Sequence, residues 1–119
     1  MTITMARLEV IYCPADGSPQ IRMIEHSLET LQKLVGGYIE TIRVAPGVVA
    51  IVNESGLLMD LPENTTLKGL SFVGNVILAG HDPGADDFRS LTTTDLWSLI
   101  ENGYFRLQDL KRGEKNESD

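Results

Sequence analysis

The run Val48-Val49-Ala50-Ile51-Val52 constrains this chain more than any other segment. Successive strand residues point to opposite faces, so five apolar residues in a row make both faces of one strand apolar. Such a strand belongs inside a sheet. The turn Ala45-Pro46-Gly47 joins it to a preceding strand over Tyr38–Val44, and the two form one antiparallel unit.

Other segments supply the partners. Ala6–Cys13 alternates Leu8, Val10 and Tyr12 with Arg7, Glu9 and Ile11, the period of a half-buried strand. The cluster Pro14–Pro19 turns the chain, and Ile21–Glu25 returns. In the simplest register Leu8, Val10 and Tyr12 share the core face with Ile21 and Met23, leaving Arg7 and Arg22 on the other face with Glu9, Ile11 and Ile24. Ser27 caps a helix whose stripe is Leu28, Leu31, Leu34 and Val35, and Gly36-Gly37 ends it, because glycine enters the left-handed region without a side-chain clash. Leu57-Leu58-Met59 reads as a short strand paired back on residues 48–53, and Pro62–Leu67 as a loop or helical turn. Phe72-Val73 and Val76–Ala79 form the last strong strand, with a bend at Gly74-Asn75. Thr93 or Thr94 caps a closing helix containing Leu96, Leu99 and Ile100, with Trp97 at its edge and Gly103 after it. The expected fold is therefore α+β: a small, mostly antiparallel or mixed sheet of about five to six strands, one helix after the first hairpin and one C-terminal helix. No repeat or linker divides it. Residues 1–112 read as one domain and 113–119 as a frayed polar tail.

Composition narrows the function. At 119 residues and 42% apolar the chain is large enough for a core without disulfides or a structural metal, and its lone Cys13 has no partner thiol. No apolar run is long enough to span a bilayer and the first residues do not read as a signal peptide, so a cytoplasmic protein is expected with no membrane partner. The Asn-X-Ser/Thr triplets at Asn53, Asn64 and Asn116 then have no meaning as glycosylation sites. The net charge is −7, and residues 54–101 carry eight acids against Lys68 and Arg89, a local net of −6. Phosphate backbones need clustered Lys and Arg, so direct nucleic-acid binding is disfavoured, whereas an acidic surface suits a basic patch on another protein.

Several groups of residues are candidates for chemistry, and each has a plainer structural use. His81, Asp82, Asp86 and Asp87 place an imidazole and three carboxylates in one loop, but without any metal-ligand spacing, and a solvated loop explains them as well. Asp82, Asp86 and Asp87 are the candidate partner-binding acids; no metal and no cofactor is expected. Glu40, Glu54 and Glu63 would pair as acid and base if the sheet gathers them, yet no nucleophile accompanies them: Ser55 lies in Glu-Ser-Gly, outside a nucleophile elbow. No catalytic residue is assigned. Arg22 and Arg43, joined by Arg7, are forked donors able to clamp an anion, or else exposed strand charge that discourages edge pairing. Tyr38 can stack on a base or pack half-buried; Asn53, Glu54 and Asn64 can bind a polar ligand or hold turns. The candidate ligand-binding set is thus Arg22, Tyr38, Arg43, Asn53, Glu54 and Asn64. An apolar edge and Trp97 point to a homodimer.

The order Leu31-Gln32-Lys33-Leu34-Val35-Gly36-Gly37-Tyr38-Ile39-Glu40, Val52-Asn53-Glu54-Ser55-Gly56, Leu61-Pro62-Glu63-Asn64, Gly74–Gly80 and Phe88–Thr92 resembles the small phage, plasmid and bacterial proteins grouped as domain of unknown function 3846, over about residues 7–100. The resemblance implies a mobile-element setting and no reaction. It makes the expected function a non-enzymatic accessory protein that counteracts a host defence, by binding an effector protein or by sequestering a nucleotide-type signal. A small hydrolase of a nucleotide-like ligand, metal-assisted or not, and a housekeeping protein-interaction module are the alternatives.

Overall fold

The computed structural model describes residues 6–113. They form β1 (Arg7–Cys13), β2 (Gln20–Glu25), α1 (Leu28–Val35), β3 (Ile39–Ala45), β4 (Val48–Asn53), β5 (Val76–Gly80), α2 (Thr93–Glu101), a 3-10 turn at Leu107–Asp109 and a short β6 (Lys111–Arg112). One six-stranded sheet runs in the order β3-β4-β5-β1-β2-β6. Every neighbouring pair is antiparallel except β2 and β6, so the sheet is mixed and the fold is α+β as expected. Gly113 donates its N–H to the Ile21 carbonyl, which extends the β2 contact into the stretch expected to fray; residues 114–119 lie outside the described residues.

All of Val48–Val52 is buried, and the alternation along it divides two cores. Val48, Ala50 and Val52 join Val76, Leu78, Ile11 and Cys13 on the face covered by Leu99 of α2 and by Phe105. Val49 and Ile51 join Ile77, Ala79, Leu8, Val10 and Ile24 under Leu31 and Val35 of α1. The molecule is a sheet between two helices, and the central strands need both.

Three local readings change. The first hairpin is shifted by one residue: Leu8 lies opposite Ile24, Val10 opposite Arg22 and Ile11 opposite Ile21. A one-residue slip exchanges faces. Ile24 is thereby buried beneath α1, Ile21 moves to the α2 side, Met23 is exposed and Arg22 joins Tyr12, its guanidinium 4.5 Å from the ring centroid. The Pro14–Pro19 turn does not set this register alone. It is tied to distant chain by bonds from the Thr65 N–H to the Ala15 carbonyl at 2.7 Å and from the Ala15 N–H to Asn75 Oδ1 at 3.0 Å, and by the Thr66 hydroxyl on the Pro14 carbonyl. Leu57-Leu58-Met59 forms no strand, because β3 and β5 already occupy both sides of β4. The closing helix is capped by Thr92, one residue earlier than expected, since Asp95 at the third helical position completes a reciprocal capping box with it alone.

Ile77→Ala and Leu78→Ala truncate adjacent β5 residues that enter opposite cores. Each is expected to lower unfolding free energy by about 2–5 kcal/mol in urea titrations. Sensitivity at only one of the two would mean that only one face is a packed core.

Candidate functional site

The β3–β4 pair ends at Tyr38 and Glu54, where the Glu54 N–H donates to the Tyr38 carbonyl at 2.9 Å. Beyond it the chain coils instead of extending. Gly56 N–H reaches the Asn53 carbonyl, Met59 N–H the Ser55 carbonyl, Asp60 N–H the Leu57 carbonyl and Leu61 N–H the Gly56 carbonyl, all within 3.1 Å. Asp60 takes a φ of 57°, a left-handed conformation that aspartate tolerates better than most side chains. Gly56 is required on packing grounds, since a Cβ there would lie 2.7 Å from Val73 Cγ2. The turn presents Leu57 and Leu58 to solvent at 82% and 92% exposure.

Residues 63 and 73 bridge below this turn, and the Asn64 N–H donates to the Phe72 carbonyl. Between them and β3 opens a cleft of about 380 Å³ lined by Glu40, Ile42, Glu54, Leu57, Leu58 and Phe72, among others. Its charged lining residues are Glu40 and Glu54, both acidic. The carboxylates chosen from sequence therefore do share one place, with Glu63 at the bridge beside it.

The asparagines sit beneath this surface. Asn53 is buried, donates from Nδ2 to the Val35 carbonyl at 3.2 Å and accepts the Ser55 N–H at Oδ1 at 2.8 Å, which ties the end of α1 to the end of β4. Gly37 is its necessary neighbour: a Cβ there would stand 2.9 Å from Asn53 Nδ2. Asn64 is buried as well, donating to the carbonyls of Cys13 and Gly74 and accepting the N–H groups of Thr66 and Leu67. Both amides tie irregular backbone to the ends of regular elements. Tyr38 is 71% exposed and stands with Glu54 at the cleft end of β3. Arg43 is at the other end of that strand, and Arg22 is on β2, three strands away from β4. The six candidate ligand residues do not converge within one chain.

Residues 7–103 match the family described as domain of unknown function (DUF3846). The chain belongs to that family. No curated protein and no solved structure matches it.

In this family member the densest charge cluster among the described residues lies at the Gly47 end of β3–β4 and centres on Arg89, which the sequence reading passed over. Its Nη1 meets Asp95 Oδ2 at 2.6 Å, its Nε and Nη2 meet both oxygens of Asp82 at 3.1 Å, and Nη2 also reaches the Gly47 carbonyl at 3.1 Å. The guanidinium rests on Gly80, where a Cβ would stand 2.4 Å from Nη1. One signal for it was present: Arg89 and Lys68 are the only bases among residues 54–101. Beside the cluster, Arg43 donates from Nη1 to the His81 carbonyl at 2.9 Å and from Nη2 to His81 Nδ1 at 3.0 Å. His81 Nε2 faces the Ala85 carbonyl, which only accepts, so this geometry places the ring proton on Nε2.

Of the candidate partner acids, Asp82 is thus paired with Arg89, Asp87 accepts His26 Nε2 at 2.8 Å, and Asp86 is exposed. Among the described residues no three His, Cys, Asp or Glu side chains gather as a metal site. Burial pushes the Cys13 thiol pKa up, which leaves it a poor nucleophile.

The Arg89 hydrogen bond holds Asp82 below the ordinary value of 3.8. For Asp95, burial acts in the opposite direction, and the bonds from Arg89 and the Thr92 backbone outweigh it, so the net displacement is also downward. A carboxyl depressed in the folded state takes up its proton more readily in the unfolded chain. Its stabilisation is complete above the ordinary value and disappears as pH falls through the folded-state value. Melting temperature is expected to fall with acid below about pH 5. Arg89→Ala should flatten that acid dependence and lower stability near neutrality by about 3 kcal/mol, because it strands the buried Asp95 carboxylate. Thermal melts of both proteins across pH check it, and parallel acid profiles would remove Arg89 as the cause.

Proposed function

We propose that this DUF3846 protein is a non-enzymatic, cytoplasmic accessory protein of a phage or mobile element that counteracts a host defence by occupying an effector protein. Its mobile-element setting comes from the family resemblance. The preference for a protein over a small signal rests on one observation: two leucines are held almost fully exposed, in a built turn, beside a cleft whose charged lining is acidic. Large apolar side chains grouped on a surface mark interaction sites. The side chains suited to a small polar ligand are dispersed or, like Asn53 and Asn64, engaged with backbone.

Among the described residues no helix is long and apolar enough to cross a membrane. Trp97 is also exposed, on α2, and a homodimer through it belongs to the same proposal.

The test is capture from phage-infected cells with the protein and with a Leu57→Asp/Leu58→Asp variant, followed by mass analysis of retained proteins and heat-released small molecules. One host protein should be retained by the parent and lost, by tenfold or more in affinity, from the variant. Stability of the variant should stay within about 0.5 kcal/mol, as expected of exposed positions. A released nucleotide with no retained protein would replace this reading with signal sequestration, and size measurement of the purified protein decides the homodimer.

A further inference from the structure

The proposed partner site adjoins a sheet edge whose hydrogen-bonding groups are directed outward. β3 is the terminal strand of the sheet, with β4 on one side and no strand among the described residues on the other. Antiparallel ladders alternate between pairs that exchange hydrogen bonds and pairs that do not. The Glu54 N–H to Tyr38 carbonyl bond fixes that alternation, so Glu40 and Ile42 bond Val52 and Ala50. The N–H and C=O groups of Ile39, Thr41 and Arg43 then point away from β4. This is a template for one more strand, and the irregularity that would close it begins only after Arg43.

The side chains along the edge give a specificity to match. Glu40 and Ile42 lie two residues apart on the cleft face, with Glu54, Leu57 and Leu58 around the same cleft. An added strand would set alternate side chains into it: one beside a carboxylate pair, the next beside Ile42 and the leucines. A second copy of this chain is a poor occupant. Its own β3 would bring a second Glu40 and Glu54 against a cleft that has acids without a base among its lining residues.

Resting on the protein-capture reading, we propose that the partner contributes an extended segment that adds to β3 as a strand, with a Lys or Arg and an aliphatic residue two positions apart on the side facing the cleft. Backbone bonds to Ile39, Thr41 and Arg43 supply the attachment, and the Glu40–Glu54 pair and the Leu57–Leu58 turn supply selectivity.

A displayed library of random dodecapeptides, panned on the folded protein, tests this without a known partner. Recovered peptides should share a basic residue and an aliphatic residue at positions i and i+2. Their affinity should fall about tenfold or more against Thr41→Pro, which deletes an outward N–H while sparing every β3–β4 bond, and should persist within about twofold against Thr41→Val. Because Thr41→Pro alters the strand, its melting temperature is measured alongside. Peptides N-methylated at alternate positions repeat the test on the unaltered protein, and only one of the two phases should bind. Peptides that require Leu57 and Leu58 but ignore both Thr41→Pro and N-methylation would overturn strand addition and leave protein capture standing. Peptides that pair with β3 but carry no basic residue would overturn the charge rule. Recovery of no peptide sensitive to either Leu57/Leu58 or Thr41 would overturn capture at this site altogether.

Discussion

The rest of the structure depends on the burial of two adjacent strands on both of their faces. β4 and β5 are apolar at every position except the terminal Asn53 and Gly80, and neither face can be left to water. A single helix covers one face of a sheet this size, so the chain must deliver a second from the other direction. α1 arrives directly after β2 and covers the Ile51–Ile77 side, while α2 arrives from the far end of the sequence and covers the Ala50–Leu78 side. The long excursion over residues 54–75 carries neither helix but adds Leu67, Leu70 and Phe72 to the cover of the Ala50–Leu78 side. β4 and β5 are immediate neighbours and antiparallel, and a tight turn would join them; the chain departs instead and builds the leucine turn and the 63–73 bridge before returning.

That excursion needs partners for its own backbone, which explains where the asparagines went. An amide side chain offers donors and an acceptor together, so one buried residue serves several backbone groups at once. Asn64 does so for Cys13, Gly74, Thr66 and Leu67, linking the end of β1 to the chain that precedes β5. Asn53 does so for Val35 and Ser55. From the sequence each reads as an ordinary turn residue or a ligand contact. The turn reading holds at Oδ1, which in both accepts the N–H two residues on, whereas the carbonyls that Nδ2 serves lie up to 51 positions away and are not visible along the chain.

The parts of the fold legible in the sequence were those governed by local period and by glycine. The uninterrupted Val48–Val52 run located the sheet interior, and Ser27 with Gly36 bounded α1, the first accepting the Thr30 N–H and the second at a φ of 85°. Register was not legible, because the Pro14–Pro19 turn is held by Thr65, Thr66 and Asn75 and so depends on contacts invisible along the chain. The charge cluster was half legible: the acids were conspicuous, but their organiser is one arginine whose role is set by two glycines far apart in sequence, Gly47 in the β3–β4 turn and Gly80 at the end of β5, that clear space for it.

The same separation of roles bears on where binding is located. At the Gly47 end the charged groups already have partners within the chain: Arg89 is shared by Asp82 and Asp95, and Arg43 donates to His81, so they are occupied in joining α2 and the 81–89 loop to the sheet. At the Tyr38–Glu54 end the acids Glu40 and Glu54 line open space and the apolar side chains face outward. Desolvating an ion pair that is already satisfied returns little, whereas covering exposed leucines and pairing a lone carboxylate both favour association. The net acidity of residues 54–101 thus includes acids engaged inside the chain, such as Asp82 and Asp95, and acids that line open space, such as Glu54, and the proposed partner surface rests on the second kind. In the proposed reading the charge that matters for a partner is charge left without an internal counterpart, and Glu40 and Glu54 beside β3 are of that kind.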